Sequence, residues 1–286
     1  MTTIGIVGFG YVGKAVEYGF RPKNKIVVHD KFLPSEPLEN VVSNSDIVFV
    51  CVPTPMDGKY SRIDLSIVES VVGETVGLAR KLGRKPIITI KSTVIPGTTR
   101  NLGKKFDRPE ILFNPEFLTE TNYLQDFIKS DRIVIGGDVN WVRAKLVDLY
   151  RDSFPLTTIF ETDPTTAEMV KYMANTFLAA KVIFANEMFD LCEQLGIKYE
   201  EMKKMVVADY RIFDSHLDIT TQRGFGGKCF PKDTVALLGL ARELGVELSV
   251  LETAWKKNLK IRKVRDWEEI PGAVSRKQRK QGESNT

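Results

Sequence analysis

The sequence predicts an α/β protein: an N-terminal Rossmann-like domain with a doubly wound parallel sheet, followed by an α-helical central domain. In the first half, short runs rich in Val and Ile alternate with helical stretches and cover residues 4–7, 26–28, 47–52, 87–90, 111–113 and 133–135. Near-continuous apolar strands separated by helices are typical of a parallel sheet covered on both faces. From Asp163 onward the pattern is helical, which predicts the second domain.

The second domain begins with a long helix. Asp163-Pro164-Thr165 provides an N-cap followed by proline at the first helical position. Neither Gly nor Pro follows before about Leu195, so we expect a helix of roughly thirty residues. We also expect a helix that starts near Asp233 and continues past Gly245 into a basic segment.

Length and composition set the domain count and exclude several protein classes. At roughly 150 residues per domain, the 286 residues predict two domains, at 1–162 and 163–270, with a disordered tail at 271–286. Apolar residues make up 43% and charged residues 27%, which excludes a disordered chain and a membrane bundle.

The N-terminus shows no signal-peptide pattern, and three widely spaced cysteines are no disulfide framework, so we expect a cytoplasmic protein. With two histidines and no paired cysteines, we expect no metal site.

The formal net charge of +4 is unevenly distributed. Residues 255–280 hold ten Lys and Arg against three acids, so the remainder is mildly acidic. A basic end of this kind is usually solvated, and we regard nucleic-acid binding as unlikely.

A glycine-rich turn follows the first predicted strand. Residues 8–13 have the sequence Gly-Phe-Gly-Tyr-Val-Gly, and the second strand ends at Asp30. This is the dinucleotide fingerprint in its expected context: Gly8 permits the turn, Gly10 lets the backbone approach a pyrophosphate, and Gly13 lets the helix pack on the strand. Asp30 would accept hydrogen bonds from the ribose hydroxyls and repel a 2′-phosphate, which predicts NAD as cofactor in preference to NADP.

A second glycine-rich loop precedes a cysteine. Residues 224–233 have the sequence GFGGKCFPKD. Proline after Cys229 predicts a helix start there, and a helix N-terminus beside two lysines favours the thiolate. The glycines would leave space for a substrate carbon near the sulfur. Cys51 and Cys192 lie in apolar surroundings, so we interpret them as buried structural cysteines.

Three further groups of polar residues are candidates for the site. Lys171 and Asn175 lie four apart on the long helix, so they are either solvated or placed to stabilise an oxyanion. Glu116 and Glu120 follow a strand end, where ligands bind in open α/β sheets, and they are either bases or ordinary surface acids. The stretch 91–99, KSTVIPGTT, is a strand end leading into a hydroxyl-rich turn.

Taken together, these motifs resemble the nucleotide-sugar 6-dehydrogenases, the UDP-glucose/GDP-mannose dehydrogenase family, and most closely its UDP-glucose 6-dehydrogenase branch. The matching stretches are GFGYVG, CVPTP at 51–55, KSTVIPGTT, NPEFLTE, DRIVIG at 131–136, EMVKYMANTFLAAKVIFANE at 168–187 and GFGGKCFPKD. The resemblance implies NAD-dependent oxidation of the sugar C6 hydroxymethyl to a carboxylate through a thiohemiacetal and a thioester on a cysteine.

The resemblance implies a role for each site residue. Cys229 is the nucleophile, Lys171 and Asn175 stabilise the oxyanions, and Glu116 assists thioester hydrolysis. Glu120 and Thr93 position water and substrate, and Asp233 supports the cysteine loop. The implied cofactor-binding set is Gly8, Gly10, Tyr11, Val12, Gly13, Asp30, Lys31, Val52, Pro53, Thr54, Thr93 and Glu120. The implied substrate-binding set is Phe117, Leu118, Lys171, Asn175, Arg211, Phe225, Gly226, Gly227 and Cys229.

The resemblance also implies a homodimer through the long helix, with Arg211 contacting substrate at that interface. The sequence differs from the family's pattern in three places. We expect the family's further C-terminal domain, which encloses the UDP end of the substrate, to be missing after about Asn258. The stretch between Asp30 and Asp46 is shorter, and Lys228 replaces a small residue.

Two other functions are compatible with parts of the sequence. A β-hydroxyacid-type dehydrogenase acting on a smaller hydroxy substrate would share the predicted layout but would not need Cys229. A non-catalytic NAD-binding protein would bind the cofactor without turnover, although it would have no use for the set Lys171, Asn175, Cys229 and Asp233.

Overall fold

The computed structural model describes residues 1–275 and contains one seven-stranded sheet. Its strands are β1 Thr3–Val7, β2 Lys25–His29, β3 Ile47–Val50, β4 Ile87–Ile90, β5 Leu112–Phe113, β6 Arg132–Gly136 and β7 Thr158–Thr162. The order is β2-β1-β3-β4-β5-β6-β7. Every neighbouring pair is parallel except β5 and β6, where Phe113 pairs with Gly136 in antiparallel fashion. The predicted fold class is therefore confirmed, with one reversed pairing.

The last strand was not predicted from the sequence. β7 pairs with β6 at the edge of the sheet, and its residues are exposed or half-buried. An edge strand needs no continuous apolar run, so its sequence, TIFET, lacks the signal that identified the other strands.

Helices cover both faces of the sheet. They are α1 Tyr11–Phe20, α2 Leu38–Asn44, α3 Ser66–Lys81, α4 Thr98–Lys105, α5 Tyr123–Ile128 and α6 Asn140–Ser153. One buried cluster packs Phe20 and Leu146 from helices against Phe49 of β3. Another packs Val72 and Leu102 from helices against Ile90 of β4. Two cores sharing one sheet explain why the central strands are apolar on successive residues.

The remaining helices follow the sheet. They are α7 Pro164–Leu195, α8 Tyr199–Val206, α9 Cys229–Glu243 and α10 Ser249–Ile261, followed by a 3₁₀ turn at Asp266–Glu268. The long helix was predicted with its bounds, and the Asp163 side chain accepts the Thr165 and Thr166 amides at 3.0 and 3.2 Å as an N-cap. None of the helices among residues 1–275 is long and apolar enough to cross a membrane.

The predicted continuous helix past Gly245 is wrong. α9 ends at Glu243, and the chain turns at Gly245, whose φ is 68°. The Gly245 amide bonds to the Arg242 carbonyl and the Val246 amide to the Ala241 carbonyl, which satisfies the helix end before α10 begins. The short helix α8 was also missed.

The chain forms two compact units. Unit 1 comprises residues 1–54 and 64–171, and unit 2 comprises 55–63 and the chain from 172 onward. The predicted boundary after residue 162 marks the start of α7, whereas the units divide within that helix. Residues 55–63, placed by sequence in the first domain, belong to unit 2 because Met56 exchanges backbone hydrogen bonds with Ala273 and Ser275 at 2.8 and 2.7 Å.

The same hydrogen bonds overturn part of the predicted disordered tail. Residues 271–275 are ordered, and Ala273 is fully buried. The pairing with Met56 supplies backbone partners that a composition-based argument cannot foresee. The rest of the predicted tail, 276–286, lies outside the described residues.

Candidate active site

The glycine loop of unit 1 has the geometry of a phosphate-binding turn. Gly8 has a φ of 93°, and a Cβ there would lie 2.6 Å from the Cys51 carbonyl oxygen. A Cβ on Gly13 would lie 2.1 Å from the Gly8 carbonyl oxygen. A Cβ on Gly10 would meet nothing within 4 Å, so this side of the loop is open. The helix α1 begins directly afterwards at Tyr11, and the amides of a helix N-terminus favour an anion at such a position.

Asp30 closes the loop from the end of β2. Its carboxylate accepts the Phe9 amide at 2.7 Å and the Phe32 amide at 2.8 Å. The same residue lines a cleft of about 520 Å³ together with Phe9, Leu33 and Pro34. The structure therefore brings Asp30 to the glycine loop, as predicted. Each of its two oxygens accepts one amide, and a carboxylate has acceptor capacity beyond that.

The other predicted cofactor residues follow strand ends in the same unit. Tyr11 is exposed and packs edge-on against Tyr123, with ring centroids 5.1 Å apart. Ser92 donates to the Val52 carbonyl at 2.7 Å, which holds the chain after β3 beside the chain after β4. The remaining members differ in burial: Thr54 is buried, Val12, Val52 and Thr93 are half-buried, and Lys31, Pro53 and Glu120 are exposed.

A buried ion pair joins α7 to the segment after β5. The Lys171 ammonium donates to the Glu116 carboxylate at 2.8 Å and to its carbonyl at 2.7 Å. The two side chains are only 2% and 8% exposed, so this pair is largely buried. Burial disfavours the charged carboxylate, but Lys171 and the Leu118 amide outweigh it and lower the pKa of Glu116 below its ordinary value. Glu116 is therefore ionised at neutral pH.

Phe117 packs beside this pair. The Arg132 guanidinium lies 4.1 Å from its ring centroid, and the Lys171 ammonium lies 5.6 Å from it. Cationic groups at these distances are attracted to the ring. The predicted substrate residue Phe117 thus has cations close to its ring within unit 1.

Lys91 is a buried residue that sequence analysis left without a role. Its ammonium donates to the Asn114 side chain at 2.8 Å and to the Tyr150 hydroxyl at 3.3 Å, and it lies 5.4 Å from the Phe127 ring centroid. Burial lowers the pKa of Lys91 to about 8. Its contacts fix the chain just before Glu116. The signal in the sequence is a lysine directly after an apolar strand.

Glu168 is a second residue that was missed. Its carboxylate is fully buried and accepts the Gly97 amide at 2.5 Å, the Thr99 amide at 2.8 Å and the Thr99 hydroxyl at 2.6 Å. It thereby caps the N-terminus of α4 from α7. Burial raises the pKa of Glu168 to about 7. Its position one turn before Lys171 ties the turn after β4 to the helix that carries the predicted lysine.

In unit 2, the predicted cysteine begins a helix. Cys229 is half-buried and is the first residue of α9, as expected from the sequence. Asp233, one turn further on, is buried and accepts the Asn175 amide at 2.6 Å and the Lys232 ammonium at 2.5 Å. The structure therefore brings Asn175 and Asp233 together beneath the start of this helix. Cys51 and Cys192 are buried, as predicted, and burial raises the pKa of Cys51 to about 12.

The loop before Cys229 is held by residues that sequence analysis did not single out. Asn258 of α10 accepts the Phe225 amide at 2.7 Å and donates to the Phe225 carbonyl at 3.0 Å. The Phe225 ring stacks on Trp255 with centroids 6.0 Å apart. The expected space at Gly226 is filled, because a Cβ there would lie 2.2 Å from Arg262. A Cβ on Gly227, in contrast, would meet nothing within 4 Å.

Arg211 lies in the exposed loop after α8. Its guanidinium binds the Asp209 carboxylate, with Nε 3.0 Å from Oδ1 and Nη2 2.5 Å from Oδ2. The Arg211 side chain is 74% exposed. Arg211 therefore points to solvent and has Asp209 as its counter-ion.

Among residues 1–275, no group of three or more His, Cys, Asp or Glu side chains is placed to hold a metal ion.

Comparison with known proteins places both units in one family. The model of the UDP-glucose/GDP-mannose dehydrogenase NAD binding domain matches residues 16–154, and that of the central domain matches residues 165–260. The glycine loop precedes the first match. The NAD binding domain match confirms NAD as the predicted cofactor.

Individual relatives support the same family assignment as the two domain models. UDP-glucose 6-dehydrogenase of Rickettsia conorii is 36% identical over 228 residues, which is 77% of this chain and 50% of that protein. UDP-glucose 6-dehydrogenase TuaD of Bacillus subtilis is 32% identical over 83% of this chain and 51% of its own. The chain thus spans about half the length of the curated relatives it matches.

Solved structures show the same relationship. A UDP-glucose dehydrogenase from Pyrobaculum islandicum superposes with a TM-score of 0.84 at 31% identity, over 91% of this chain and 68% of that one. A 3-hydroxyisobutyrate dehydrogenase of Mycobacterium tuberculosis, 15% identical with a TM-score of 0.70, shares the fold alone. From the domain matches and the likeness to the Pyrobaculum enzyme, the chain belongs to the UDP-glucose/GDP-mannose dehydrogenase family.

Proposed function

We propose that this protein catalyses the NAD-dependent oxidation of the C6 hydroxymethyl of a nucleotide sugar, UDP-glucose in the first instance, to the carboxylate. One turnover consumes two NAD and one water and yields UDP-glucuronate and two NADH. The observation that carries the proposal is the start of α9, where Cys229 begins the helix and Asp233 binds Asn175. Membership of the family supports the same reaction.

Residues of unit 1 fit NAD. The open face at Gly10 and the amides that begin α1 suit the pyrophosphate, and Asp30 suits the adenosine ribose beside the cleft at β2. When bound, NAD accepts the hydride in each oxidation step. The Phe9 amide already orients the carboxylate of Asp30. Little rearrangement is therefore needed for the remaining lone pairs of this carboxylate to accept hydrogen bonds from the ribose hydroxyls.

Cys229 would carry the covalent chemistry. The first oxidation would remove a hydride from C6 and a proton from its hydroxyl, which leaves an aldehyde. The Cys229 thiolate then adds to the aldehyde carbon, and the aldehyde oxygen takes a proton to give a thiohemiacetal. Loss of a hydride and a proton leaves a thioester, and water then attacks the acyl carbon, which releases the carboxylate and returns the thiol. The helix N-terminus at Cys229 favours the thiolate form.

Asn175, Lys171 and Glu116 would assist this cysteine chemistry. One hydrogen of the Asn175 amide is donated to Asp233, which orients the second hydrogen for an oxyanion. Lys171, held beside Glu116, would contribute its positive charge to the stabilisation of the oxyanion. Glu116, ionised within this pair, would orient the hydrolytic water. Glu120 and Thr93 would position water and substrate, and Phe117, Leu118 and Phe225 would contact the sugar.

The test is NADH production with a panel of UDP-, GDP- and dTDP-sugars, counting NADH per sugar. We expect two NADH per UDP-glucose for the wild type and a severe loss with Cys229→Ala and Cys229→Ser. Cys192→Ala is the matched control, because Cys192 is buried in an apolar cluster with Tyr199 and Leu217. Full turnover by Cys229→Ala would overturn the mechanism, and one NADH per small hydroxy substrate would favour the β-hydroxyacid alternative.

We further infer a homodimer through α7. Six apolar side chains on this helix are exposed, and at 100° per residue they fall within roughly 80° of arc; they are Met169, Met173, Phe177, Phe184, Leu191 and Leu195. An exposed apolar stripe of this length on one helix is typical of a surface covered by a partner. Arg211 would reach the diphosphate of the substrate from this interface.

We place the protein in the cytoplasm. The thiols of Cys51 and Cys192, which are buried and not in a disulfide, support this assignment. Cell fractionation with an antibody to the protein tests it, and recovery in the membrane or extracellular fraction would contradict it.

A further inference from the structure

The segment after α10 forms hydrogen bonds with the loop that leads to Cys229. Arg262, the residue following α10, forms an ion pair with Asp266, with Nη2 3.0 Å from Oδ2. Arg262 also donates to the Arg223 carbonyl at 2.9 Å, and Asp266 accepts the Gly227 amide at 3.0 Å. We call Arg262 and Asp266 the clasp. It bonds to both ends of the segment 223–227.

The middle of that segment is also in contact with the clasp. A Cβ on Gly226 would lie 2.2 Å from Arg262 Nη2 and 2.4 Å from Asp266 Oδ1, so only glycine fits between the loop and the clasp. Gly224 and Gly227 have φ values of 50° and 71°. A segment so rich in glycine is intrinsically mobile, and therefore needs external contacts to hold one conformation.

The charge of the clasp is balanced internally. The Arg262 side chain is 9% exposed and the Asp266 side chain 36%, but the Asp266 Oδ1 atom is buried with no hydrogen-bond partner among residues 1–275. A buried carboxylate oxygen is tolerated because Arg262 neutralises it. Without Arg262, an unbalanced negative charge would remain at the Gly227 amide, two residues before Cys229 in the sequence, where it would oppose a thiolate.

We propose that Arg262 and Asp266 are positioning residues for Cys229: they hold the GFGG segment in the conformation that presents the thiol, and their mutual neutralisation keeps uncompensated negative charge away from it. The inference rests on the proposed function for its catalytic meaning. Arg262, which lies in the basic stretch interpreted from sequence as a solvated end, is thereby assigned a role beside Cys229.

The decisive readout is the rate of Cys229 alkylation by iodoacetamide as a function of pH, measured on the full chain with Cys51 and Cys192 left in place, since both are buried. Arg262→Gln leaves Asp266 unbalanced, so we expect its profile to move to higher pH by at least half a unit. Arg262→Gln combined with Asp266→Asn removes the unbalanced charge, and we expect its profile to return towards that of the wild type. Lys228, Lys232 and Asp233 are the other charged groups near Cys229 in sequence and are unchanged in all variants.

The matched control is Lys256→Gln. Lys256 of α10 pairs with Glu252, also four residues apart in the sequence, but its side chain is 71% exposed. We expect this variant to keep the wild-type profile. An unshifted profile in Arg262→Gln, or a shift that Asp266→Asn does not reverse, would overturn the proposal, because a purely structural role would not respond to restored charge balance.

The second readout is turnover. If wild-type protein reduces NAD with a nucleotide sugar, we expect kcat to fall at least tenfold in Arg262→Gln with the KM for NAD unchanged. Unchanged kcat in that variant would count against the clasp. If wild-type protein shows no turnover with any sugar, the proposed function fails, while the alkylation profiles still decide whether the clasp positions the thiol.

Discussion

Lys171 and Glu116 form a buried ion pair 2.8 Å long between α7 and the segment after β5. Both residues were predicted for the site from sequence, one as an oxyanion donor and one as an acid or base. In the structure each is the other's counter-charge, and the pair keeps the largely buried Glu116 carboxylate ionised. Their roles in stability and chemistry are therefore coupled.

Removing Lys171 should destabilise unit 1. Lys171→Met leaves the Glu116 carboxylate buried without its ammonium, and we expect a loss of about 3–5 kcal/mol at pH 7. The pair lowers the pKa of Glu116. The ion pair's contribution to the free energy of unfolding is therefore fully present above the ordinary carboxyl pKa, and it is lost as the pH falls from there through the lowered pKa of the folded state. Urea unfolding at pH 7 and pH 4 measures this, with a smaller loss expected at pH 4. The control Lys81→Met breaks an exposed pair with Glu39 and should change stability by less than about 1 kcal/mol.

Charge removal at Asp30 should relax the choice of cofactor. Asp30→Asn keeps an acceptor for the Phe9 amide but removes the negative charge, so we expect NADP binding to strengthen relative to NAD. Asp30→Ala also loses the loop contact and should weaken both cofactors. Calorimetric titration of NAD and NADP into each variant measures the effect. Equal affinity of the wild type for the two cofactors would show that Asp30 does not discriminate between a 2′-hydroxyl and a 2′-phosphate on the ribose.

Glu168 should make the stability of unit 1 depend on pH. Burial raises the pKa of Glu168 to about 7, so between its ordinary value and pH 7 the folded chain binds more protons than the unfolded chain. Stability from this group therefore falls as the pH rises through that window, by an amount on the order of 3 kcal/mol. Melting temperatures at pH 5.5 and pH 8 should differ less in Glu168→Gln than in the wild type. The exposed Glu74→Gln is the control, and an equal slope in both variants would refute the assignment.

The exposed stripe on α7 should hold the dimer together. Phe177→Glu with Phe184→Glu places two charges in its centre, and we expect a monomer by sedimentation at micromolar concentration. Leu156→Glu, an equally drastic change at a side chain that is 98% exposed elsewhere, should leave the association unchanged. A wild-type chain that sediments as a monomer at this concentration contradicts the proposed dimer.

The sequence by itself predicted the features that depend on local chemistry. Apolar runs identified six strands, Asp163 and the absence of breakers identified α7, and the fingerprint pattern placed Asp30 beside the glycine turn at 8–13. It also placed Cys229 at a helix start. Each of these depends on residues close in sequence, where side-chain size, backbone freedom and hydrogen-bonding capacity act directly.

Only the tertiary structure decided which distant residues meet. Glu116 and Lys171 are 55 positions apart, and Gly227 and Asp266 are 39 apart. Nothing in the local pattern pairs Glu168 with Gly97, or shows that residues 271–275 would bond to Met56. Such contacts form because buried polar groups must find partners once the chain collapses, and which partner lies within reach is a property of the folded backbone. Residues 255–275 resembled part of a solvated basic end by charge alone, but Arg262 and Asp266 within them hydrogen-bond to the loop before Cys229.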